Sequence, residues 1–113
     1  MSIDKSLITG SIGMLLLKLL EEKDMYGYQM IEQLRRRSDH TFDLKAGTLY
    51  PLLHALEEKG FITSWVEETD SNRPRKYYHL SASGKEQLLA KKEEWEAYTG
   101  AVNRVLRGGA FFA

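Results

Sequence analysis

Residues 47–80 constrain the fold most, because their hydrophobic period changes from that of a helix to that of two strands. The first part carries the buried stripe of a helix, with apolar residues at three- and four-residue steps: Leu49, Leu52, Leu53 and Leu56. Gly60 is a natural C-terminal stop for this helix. A two-residue alternation follows over Ile62–Glu67, and strand-forming residues fill Arg75–Leu80. The segment therefore predicts a helix followed directly by a β-hairpin.

The proline in this helix predicts where the helix begins. Pro51 has no backbone N–H and is accommodated best within a first turn, where that N–H would be unpaired anyway. The helix is therefore expected to begin near Gly47 or Thr48. Phe42 and Leu44 precede it and are expected to anchor its entry in the core.

Three further helices are predicted from the same spacing of apolar residues. They cover residues 6–22, residues 26–37, and a long stretch from the N-cap Ser81 to about Arg107. Gly10 and Gly13 either weaken the first of these helices or let another backbone approach closely. The order helix, helix, helix, hairpin and long helix predicts a mainly α fold with a small β-hairpin. It is the order of a winged helix-turn-helix with a C-terminal helix.

Charge and composition limit the functions available to the chain. Its 113 residues hold sixteen basic and sixteen acidic side chains, so no overall field attracts nucleic acid. The absence of cysteine excludes disulfides and thiol catalysis. The charge is unevenly distributed, however. Residues 71–83 contain no acid and include Arg73, Arg75 and Lys76, which permits local contact with phosphates.

The three histidines give no support for a metal site or an active site. His40, His54 and His79 are scattered, and no nucleophile motif or glycine-rich phosphate loop is present. We therefore expect no enzyme activity, no metal and no cofactor. The apolar run at residues 14–20 is too short to cross a bilayer, and the N-terminal residues lack a signal-peptide layout. A cytoplasmic protein without a membrane partner is expected.

The polar side of the predicted third helix has an unusual composition. It carries Thr48, Tyr50, Pro51 and His54, whereas a solvated helix face normally carries Lys, Glu and Gln. We interpret this side as a surface that enters the major groove of DNA, and plain solvated surface is the alternative. No arginine is available on it to pair with guanine. DNA shape and phosphate contacts are therefore expected to contribute much of the specificity.

The cations of the hairpin also have two interpretations. Arg73, Arg75 and Lys76 lie at a hairpin tip without nearby acids, which favours contacts to phosphates or the minor groove over an ordinary solvated charge run. For the arginines at positions 35–37, stabilisation of the helix dipole and DNA contact remain equally open. Tyr28 and Gln29 lie at the start of the second helix, where free N–H groups suit a phosphate.

The last helix carries apolar residues with the spacing of a coiled coil. Leu88, Trp95 and Val102 are seven residues apart, and a second row is formed by Tyr98 and Val105. A domain of this size does not need that stripe for its own core. We therefore predict a homodimer in which this helix packs on the other subunit. Packing back onto the first helix is the alternative, and it would apply in part at Leu88.

Several motifs together closely resemble the PadR family of bacterial transcriptional regulators. They are Phe42-x-Leu44-x-x-Gly47-Thr48-Leu49-Tyr50-Pro51-Leu52-Leu53, then Leu56-Glu57-x-x-Gly60-x-Ile62, then Arg73-Pro74-Arg75-Lys76-Tyr77-Tyr78-x-Leu80-x-x-x-Gly84, with Tyr26-Gly27-Tyr28-Gln29-Met30 upstream. The resemblance implies a DNA-binding transcriptional regulator and supports Tyr28 as a contact residue. The single C-terminal helix is similar to a compact subgroup that includes multidrug-responsive repressors.

The resemblance also implies a ligand pocket. In that subgroup the matching tryptophan lies at the dimer interface, where paired indoles flank a pocket for flat aromatic compounds. The residues that would line it here are Trp95 with its symmetry mate, Leu15, Leu19 and Lys92. Interface packing alone is the other role available to Trp95. The chain departs from the family at Tyr26, where many members have His, and at Asn72, where many have Gly.

These predictions combine into one function. Residues 1–80 are expected to form the winged helix-turn-helix DNA-binding domain, and residues 81–113 the dimerisation helix and tail. The chain is predicted to be a sequence-specific DNA-binding transcriptional regulator acting as a homodimeric, ligand-responsive repressor. Its partners would be a double-stranded DNA operator, a second copy of itself and a planar aromatic effector. The alternative, which the neutral overall charge keeps open, is a winged-helix protein-interaction module that does not bind DNA.

Overall fold

The computed structural model describes residues 3–69 and 73–108, which form four helices and a three-stranded antiparallel sheet. The elements in chain order are α1 (Lys5–Glu22), β1 (Met25–Tyr26), α2 (Gly27–Arg37), α3 (Ala46–Glu58), β2 (Ile62–Glu67), β3 (Arg75–Leu80) and α4 (Ala82–Arg107). The predicted helices and both hairpin strands are confirmed, with small shifts at their ends. The mainly α fold class is therefore correct.

The central strand of the sheet is β3, which pairs with β2 on one side and β1 on the other. In the hairpin, Ile62 lies opposite Leu80. Strand β1 was not expected from the sequence. Its Tyr26, which the sequence assigns to the second helix, lies opposite Tyr77 of β3. A strand of two residues is too short to show a period, and pairing with β3 holds it in the extended conformation.

The core lies between α1, α2, α3, the inner face of the sheet and the start of α4. It consists of apolar side chains that are almost fully buried: Ile12, Leu16, Leu17, Leu19, Leu20, Met25, Met30, Leu34, Leu49, Leu53, Ile62, Tyr78, Leu80 and Leu88. Helix α1 contributes five of these fourteen residues, more than any other element, so a broad face of this helix is covered. A Cβ added at Gly10 or Gly13 has no neighbour within 4 Å, so these glycines serve no close approach within the chain.

The ends of α1 and α2 are joined by charge. The Arg37 guanidinium donates to both carboxylate oxygens of Glu22, with Nη1–Oε2 2.9 Å and Nη2–Oε1 2.5 Å. This hydrogen bonding lowers the pKa of the Glu22 carboxyl. Within α2, Arg35 pairs with Glu32. Two of the three arginines at positions 35–37 thus have partners within the chain, while Arg36 is exposed.

The turn between α2 and α3 contains two residues in the left-handed region. The backbone φ is 51° at Asp39 and 66° at His40. The N–H of His40 donates to the Arg35 carbonyl at 2.8 Å and that of Asp39 to the Arg36 carbonyl at 3.3 Å, the hydrogen-bond pattern of a Schellman motif. Ser38 closes the turn through its hydroxyl, which accepts from the N–H of Phe42 at 2.9 Å. This fixes the chain on its way into α3.

Helix α3 begins earlier than the proline predicts. Its first residue is Ala46, with Lys45 as the N-cap, so Pro51 lies in the second turn. Pro51 cannot donate to the carbonyl four residues before it, that of Gly47. Gly47 is exposed, so water can satisfy this carbonyl, and the helix continues without a break to Glu58.

Helix α4 packs on the core through its first turns. The Ser81 hydroxyl accepts from the N–H of Gly84 at 3.0 Å, as predicted for an N-cap. Gly84 is buried against the carbonyl of Phe61. One turn later, Leu88 is 1% exposed within its own chain. This burial corrects the assignment of Leu88 to a partner helix, because the side chain is enclosed before any partner arrives.

Two parts of the sequence named above lie outside the described residues. They are Asn72, in the segment 70–72, and the tail over residues 109–113. Among the described helices, none is both long enough and apolar enough to span a membrane.

Candidate nucleic-acid interface

A single cleft of about 350 Å³ brings together three separate elements of the chain. The start of α2, the side of α3 and the end of the wing near the hairpin tip all contribute to it. The wing here means β2, β3 and the described residues between them. The lining residues are Tyr26, Gly27, Tyr28, Tyr50, Arg73, Pro74, Arg75 and Lys76. Five of the predicted DNA-contact residues are among them. The cleft is thus cationic along one wall and rich in phenol groups along the other.

Tyr50 connects α3 to the start of α2. A Cβ added at Gly27 would lie 2.3 Å from the Tyr50 hydroxyl oxygen, so only glycine leaves room for the phenol there. Burial raises the pKa of the Tyr50 phenol, and the nearby Tyr28 raises it further. The hydroxyl therefore stays protonated at neutral pH and can donate a hydrogen bond. Tyr28 itself is 67% exposed at the second position of α2.

Gln29 has a structural role at the same end of α2. Its side-chain Oε1 accepts a hydrogen bond from the backbone N–H of Tyr26 at 3.0 Å. This bond caps the helix and joins it to β1. The side-chain oxygen of Gln29 therefore already accepts a hydrogen bond, and its NH₂ group is the part that remains to donate to a ligand.

Aromatic rings hold the wing arginine at the edge of the cleft. The guanidinium carbon of Arg75 lies 4.6 Å from the centre of the Tyr26 ring, a cation–π contact. Tyr26 meets Tyr77 edge-on at 5.4 Å, and Tyr77 stacks with Trp65 at 5.5 Å. Tyr77 lies opposite both partners in the sheet, so the three rings form one row across it. The Tyr26 ring at the end of this row restrains the Arg75 guanidinium, which stays exposed to solvent.

Lys76 lies where the wing meets the end of α3. Its Nζ is 5.6 Å from the centre of the Tyr78 ring and 3.9 Å from Oε1 of Glu57. Glu57 is held in turn by the Ser64 hydroxyl, which donates to its Oε2 at 2.5 Å. Burial raises the pKa of the Tyr78 phenol, with smaller contributions from Tyr50 and Glu57. The cation thus remains half exposed beside an acid.

The remaining predicted contacts lie along the outer side of α3, beyond the cleft. Thr48, Pro51 and His54 are exposed. The Nε2 atom of His54 lies 2.9 Å from Oε1 of Glu58, one turn further on. The described part of the chain contains no cluster of His, Asp and Glu suited to a metal ion. The arrangement offers hydroxyl, amide and cationic donors over one surface, which is the chemistry that phosphate and base edges require.

A second group of predicted residues lies around Trp95, on α4. An apolar cavity of about 380 Å³ opens between the first half of α1, Phe42 and this indole. Leu15 lines this cavity. Leu19 does not, because its side chain is 2% exposed within the core, which corrects its assignment to a ligand site. Lys92 is exposed and lines neither this cavity nor the adjoining one of about 310 Å³ that Tyr98 borders.

Comparison with known proteins decides the family. The sequence profile described as the transcriptional regulator PadR-like family matches residues 16–90, well over half of the chain. The chain belongs to the PadR family. The resemblance seen in the sequence is confirmed, and the protein is a DNA-binding transcriptional regulator rather than an enzyme.

Solved structures of related proteins share the fold of this PadR-like protein. A transcriptional regulator from Clostridium thermocellum is 32% identical, with a TM-score of 0.82 over 88% of this chain and 96% of its own. A PadR family regulator from Eggerthella lenta is 33% identical, with a TM-score of 0.81 over 92% and 88% of the two chains. One from Clostridium difficile is 39% identical, with a TM-score of 0.74 over 85% and 98%. An uncharacterized protein from Lysinibacillus sphaericus is 29% identical over 102 residues.

Sequence reasoning on this PadR-like chain missed three residues of the surface. Tyr26 and Gly27 belong to the quoted motif at the start of the second helix, but their roles depend on contacts with Arg75 and Tyr50 that only the tertiary fold creates. Glu57 belongs to one of the quoted motifs, but the sequence assigned it no role. Its position on α3 gave no sign that the wing would bring Lys76 beside it.

Proposed function

We propose that this PadR-like protein is a sequence-specific repressor that binds double-stranded DNA as a homodimer. In this proposal α3 enters the major groove with Thr48, Tyr50 and His54, and the wing contacts the flanking phosphates through Arg73, Arg75 and Lys76. The observation that supports it best is the shared cleft of α2, α3 and the wing. A phosphate at this cleft could reach hydroxyl and guanidinium donors from all three elements.

The start of α2 contributes a further contact in this proposal. The first N–H groups of α2 lie beside Gly27, and the exposed Tyr28 and the amide of Gln29 flank them. Helix N-termini attract phosphate, because their N–H groups are free and the helix dipole is positive there. Tyr28 and Gln29 would therefore fix the protein's register on the backbone.

Sequence discrimination would come partly from DNA shape. The exposed side of α3 offers Thr48, Pro51 and His54 but no arginine, so few bidentate contacts to bases are available. Phosphate contacts from two rigidly held elements instead favour DNA whose groove width and bend match the protein. We expect the operator to tolerate single base changes better than changes in half-site spacing.

The second half of α4 supports the homodimer. Val105 is 79% exposed and Leu106 is 76% exposed, and both continue the stripe that begins at Trp95, Tyr98 and Val102. A helix that leaves such a stripe uncovered gains stability by packing it against another apolar surface. We assign DNA contacts to residues 1–80 and subunit contacts to residues 81–113. Two recognition helices would then face major grooves about 34–36 Å apart on a pseudo-palindrome.

An effector site near Trp95 would make the repressor responsive to a ligand. The apolar cavities beside this indole suit a planar aromatic molecule, with Leu15 on one wall. Binding in the seam between subunits would change the angle or distance between the two recognition helices and so weaken DNA binding. In a Trp65→Phe variant, Trp95 is the single tryptophan, and its fluorescence is expected to change with an active compound. Unchanged emission over a broad panel of planar compounds contradicts the site.

DNA binding is tested with the protein's own upstream DNA in a gel-shift or fluorescence-anisotropy titration. Wild-type protein should prefer this DNA to a scrambled duplex, and its affinity should fall steeply with salt. Arg75→Ala combined with Lys76→Ala should lower the affinity. It should also reduce the slope of the salt dependence by an amount that corresponds to between one and about two phosphate contacts. Lys85→Ala removes an exposed cation from α4, on another element, and is the matched control that should bind normally.

The competing function is a protein-interaction module that uses the same surface without binding DNA, an alternative that the neutral net charge leaves open. The two functions give opposite results at low salt. Absence of specific binding to upstream DNA at low salt contradicts the repressor. DNA binding that does not weaken as salt is raised would contradict the proposed phosphate contacts of the wing.

A further inference from the structure

Glu57 is fixed in the binding surface by a neighbour that is not part of α3. Its Oε2 accepts from the Ser64 hydroxyl of β2 at 2.5 Å, and its side chain is only 32% exposed. A carboxylate held in this way cannot rotate freely toward solvent. The negative charge therefore stays at the junction of α3 and the wing.

The cation beside this carboxylate is held less tightly. Lys76 Nζ is 3.9 Å from Glu57 Oε1, which is too far for a hydrogen bond but close enough for an ion pair. Its side chain is 49% exposed, and its ammonium keeps all three donors available. The pairing restrains Lys76 by charge alone.

Phosphate and Glu57 are therefore alternative anions for the same lysine. If Lys76 contacts DNA, the phosphate that it meets lies close to a carboxylate that cannot withdraw. Part of the gain from the new contact is then offset by repulsion between the two anions. The net charge of the pair is zero, so Lys76 contributes less counterion release than Arg75, for which no acidic partner is found among residues 3–69 and 73–108.

We propose that Glu57 is a fixed counter-ion of Lys76 that weakens the contact between the wing and DNA phosphates. This inference rests on the proposed DNA-binding function. The charge of Glu57 limits the affinity of the binding surface for DNA of any sequence. A regulator with weaker backbone affinity leaves non-specific sites faster, so a larger share of its binding depends on the operator.

The test is a double-mutant cycle on DNA affinity. Glutamine at position 57 can still accept from Ser64, so Glu57→Gln removes the charge while keeping the hydrogen bond. This variant should bind both operator and scrambled duplex about two- to five-fold more tightly, the range expected for loss of a half-exposed ion pair. Its salt dependence should steepen by up to about one phosphate contact. In a Lys76→Gln background the same change should have little effect, because the cation that it frees is absent.

Glu58→Gln is the matched control. Glu58 is the next residue, carries the same charge and pairs with His54 rather than Lys76. Its effect on affinity should be the same with and without Lys76. Ser64→Ala is a second variant that frees Oε2 of Glu57 without changing any charge. It should raise affinity by less than Glu57→Gln does, and only when Lys76 is present.

The outcomes separate this inference from the function on which it rests. An equal gain for Glu57→Gln in both backgrounds overturns the inference, since the charge would then act on DNA from a distance. A loss of DNA affinity in Glu57→Gln, with the thermal stability unchanged, overturns the inference as well. If Lys76→Gln weakens DNA binding in either case, the wing contact of the proposed function still holds. If Lys76→Gln has no effect on binding, the contact and the inference fail together.

Discussion

Replacement of Gly84 by alanine tests how closely α4 approaches the rest of the fold. A Cβ at this position would lie 2.0 Å from the Phe61 carbonyl oxygen and 2.6 Å from a methyl carbon of Leu80. An ordinary carbon–oxygen contact is about 3.3 Å, so the helix would have to move by about 1.3 Å. The carbonyl belongs to the backbone and cannot turn aside. The same carbonyl accepts a hydrogen bond from the N–H of Ser81 at 3.1 Å. Movement of α4 away from Phe61 would therefore also weaken this hydrogen bond at the start of the helix.

Three contributions give the magnitude of the Gly84→Ala effect. Overpacking by one methyl group costs about 1–3 kcal/mol, and disturbance of the Ser81 cap and its hydrogen bond costs about 1–2 kcal/mol more. The higher helix propensity of alanine offsets about 1 kcal/mol of this. We expect the free energy of unfolding to fall by about 1–4 kcal/mol, which lowers the melting temperature by roughly 10 °C.

Urea unfolding followed by circular dichroism, at one protein concentration, measures this change. Gly100→Ala and Gly13→Ala are matched controls in the interiors of α4 and α1. The nearest neighbour of an added Cβ is 3.5 Å away at Gly100, and none lies within 4 Å at Gly13. Both controls should gain up to about 1 kcal/mol. If Gly84→Ala unfolds within about 0.5 kcal/mol of the wild type, the tight packing of α4 on Phe61 is refuted.

Three further predictions follow from other contacts. Asp39→Gly should raise the free energy of unfolding by about 1 kcal/mol in urea titrations, because glycine adopts the left-handed conformation without strain. The raised pKa of Tyr78 means that the unfolded chain loses this proton first, so stability should fall as pH rises above about 10. Tyr78→Phe should flatten that alkaline loss in thermal melts. Gly27→Ala should displace Tyr50 and weaken operator binding about five-fold in anisotropy titrations, with a melting temperature close to wild type.

Local signals in the sequence were sufficient for most of the fold. The helices and the hairpin follow from spacing of apolar residues, and the N-cap at Ser81 follows from its side-chain chemistry. Strand β1 could not be predicted, because two residues show no period and pairing with β3 creates the strand. The burial of Leu88 within its own chain could not be predicted either. A seven-residue spacing fits a partner helix and the chain's own core alike, and only tertiary packing distinguishes them.

The candidate interface divides in the same way. Residue type pointed to Thr48 and Tyr50, which are unusual on a solvated helix face, and position at an acid-free hairpin tip pointed to Arg75. Contacts between distant segments could not be predicted from the sequence, because no local pattern relates Arg75 to Tyr26 or Lys76 to Glu57. The ligand site shows a further limit. The family resemblance implied that Leu19 lines the pocket, yet its side chain belongs to the core.

Hydrogen–deuterium exchange with and without upstream DNA tests the central claim most directly, because it locates the binding surface without any mutation. The proposed function predicts slower exchange in the first turn of α2, along α3 and at Arg75 and Lys76 of the wing. The exposed end of α4 should show no added protection from DNA at a concentration where the protein is already dimeric. Protection confined to α4, or none on α3 and the wing with DNA saturated, would contradict the assignment of the cleft to DNA.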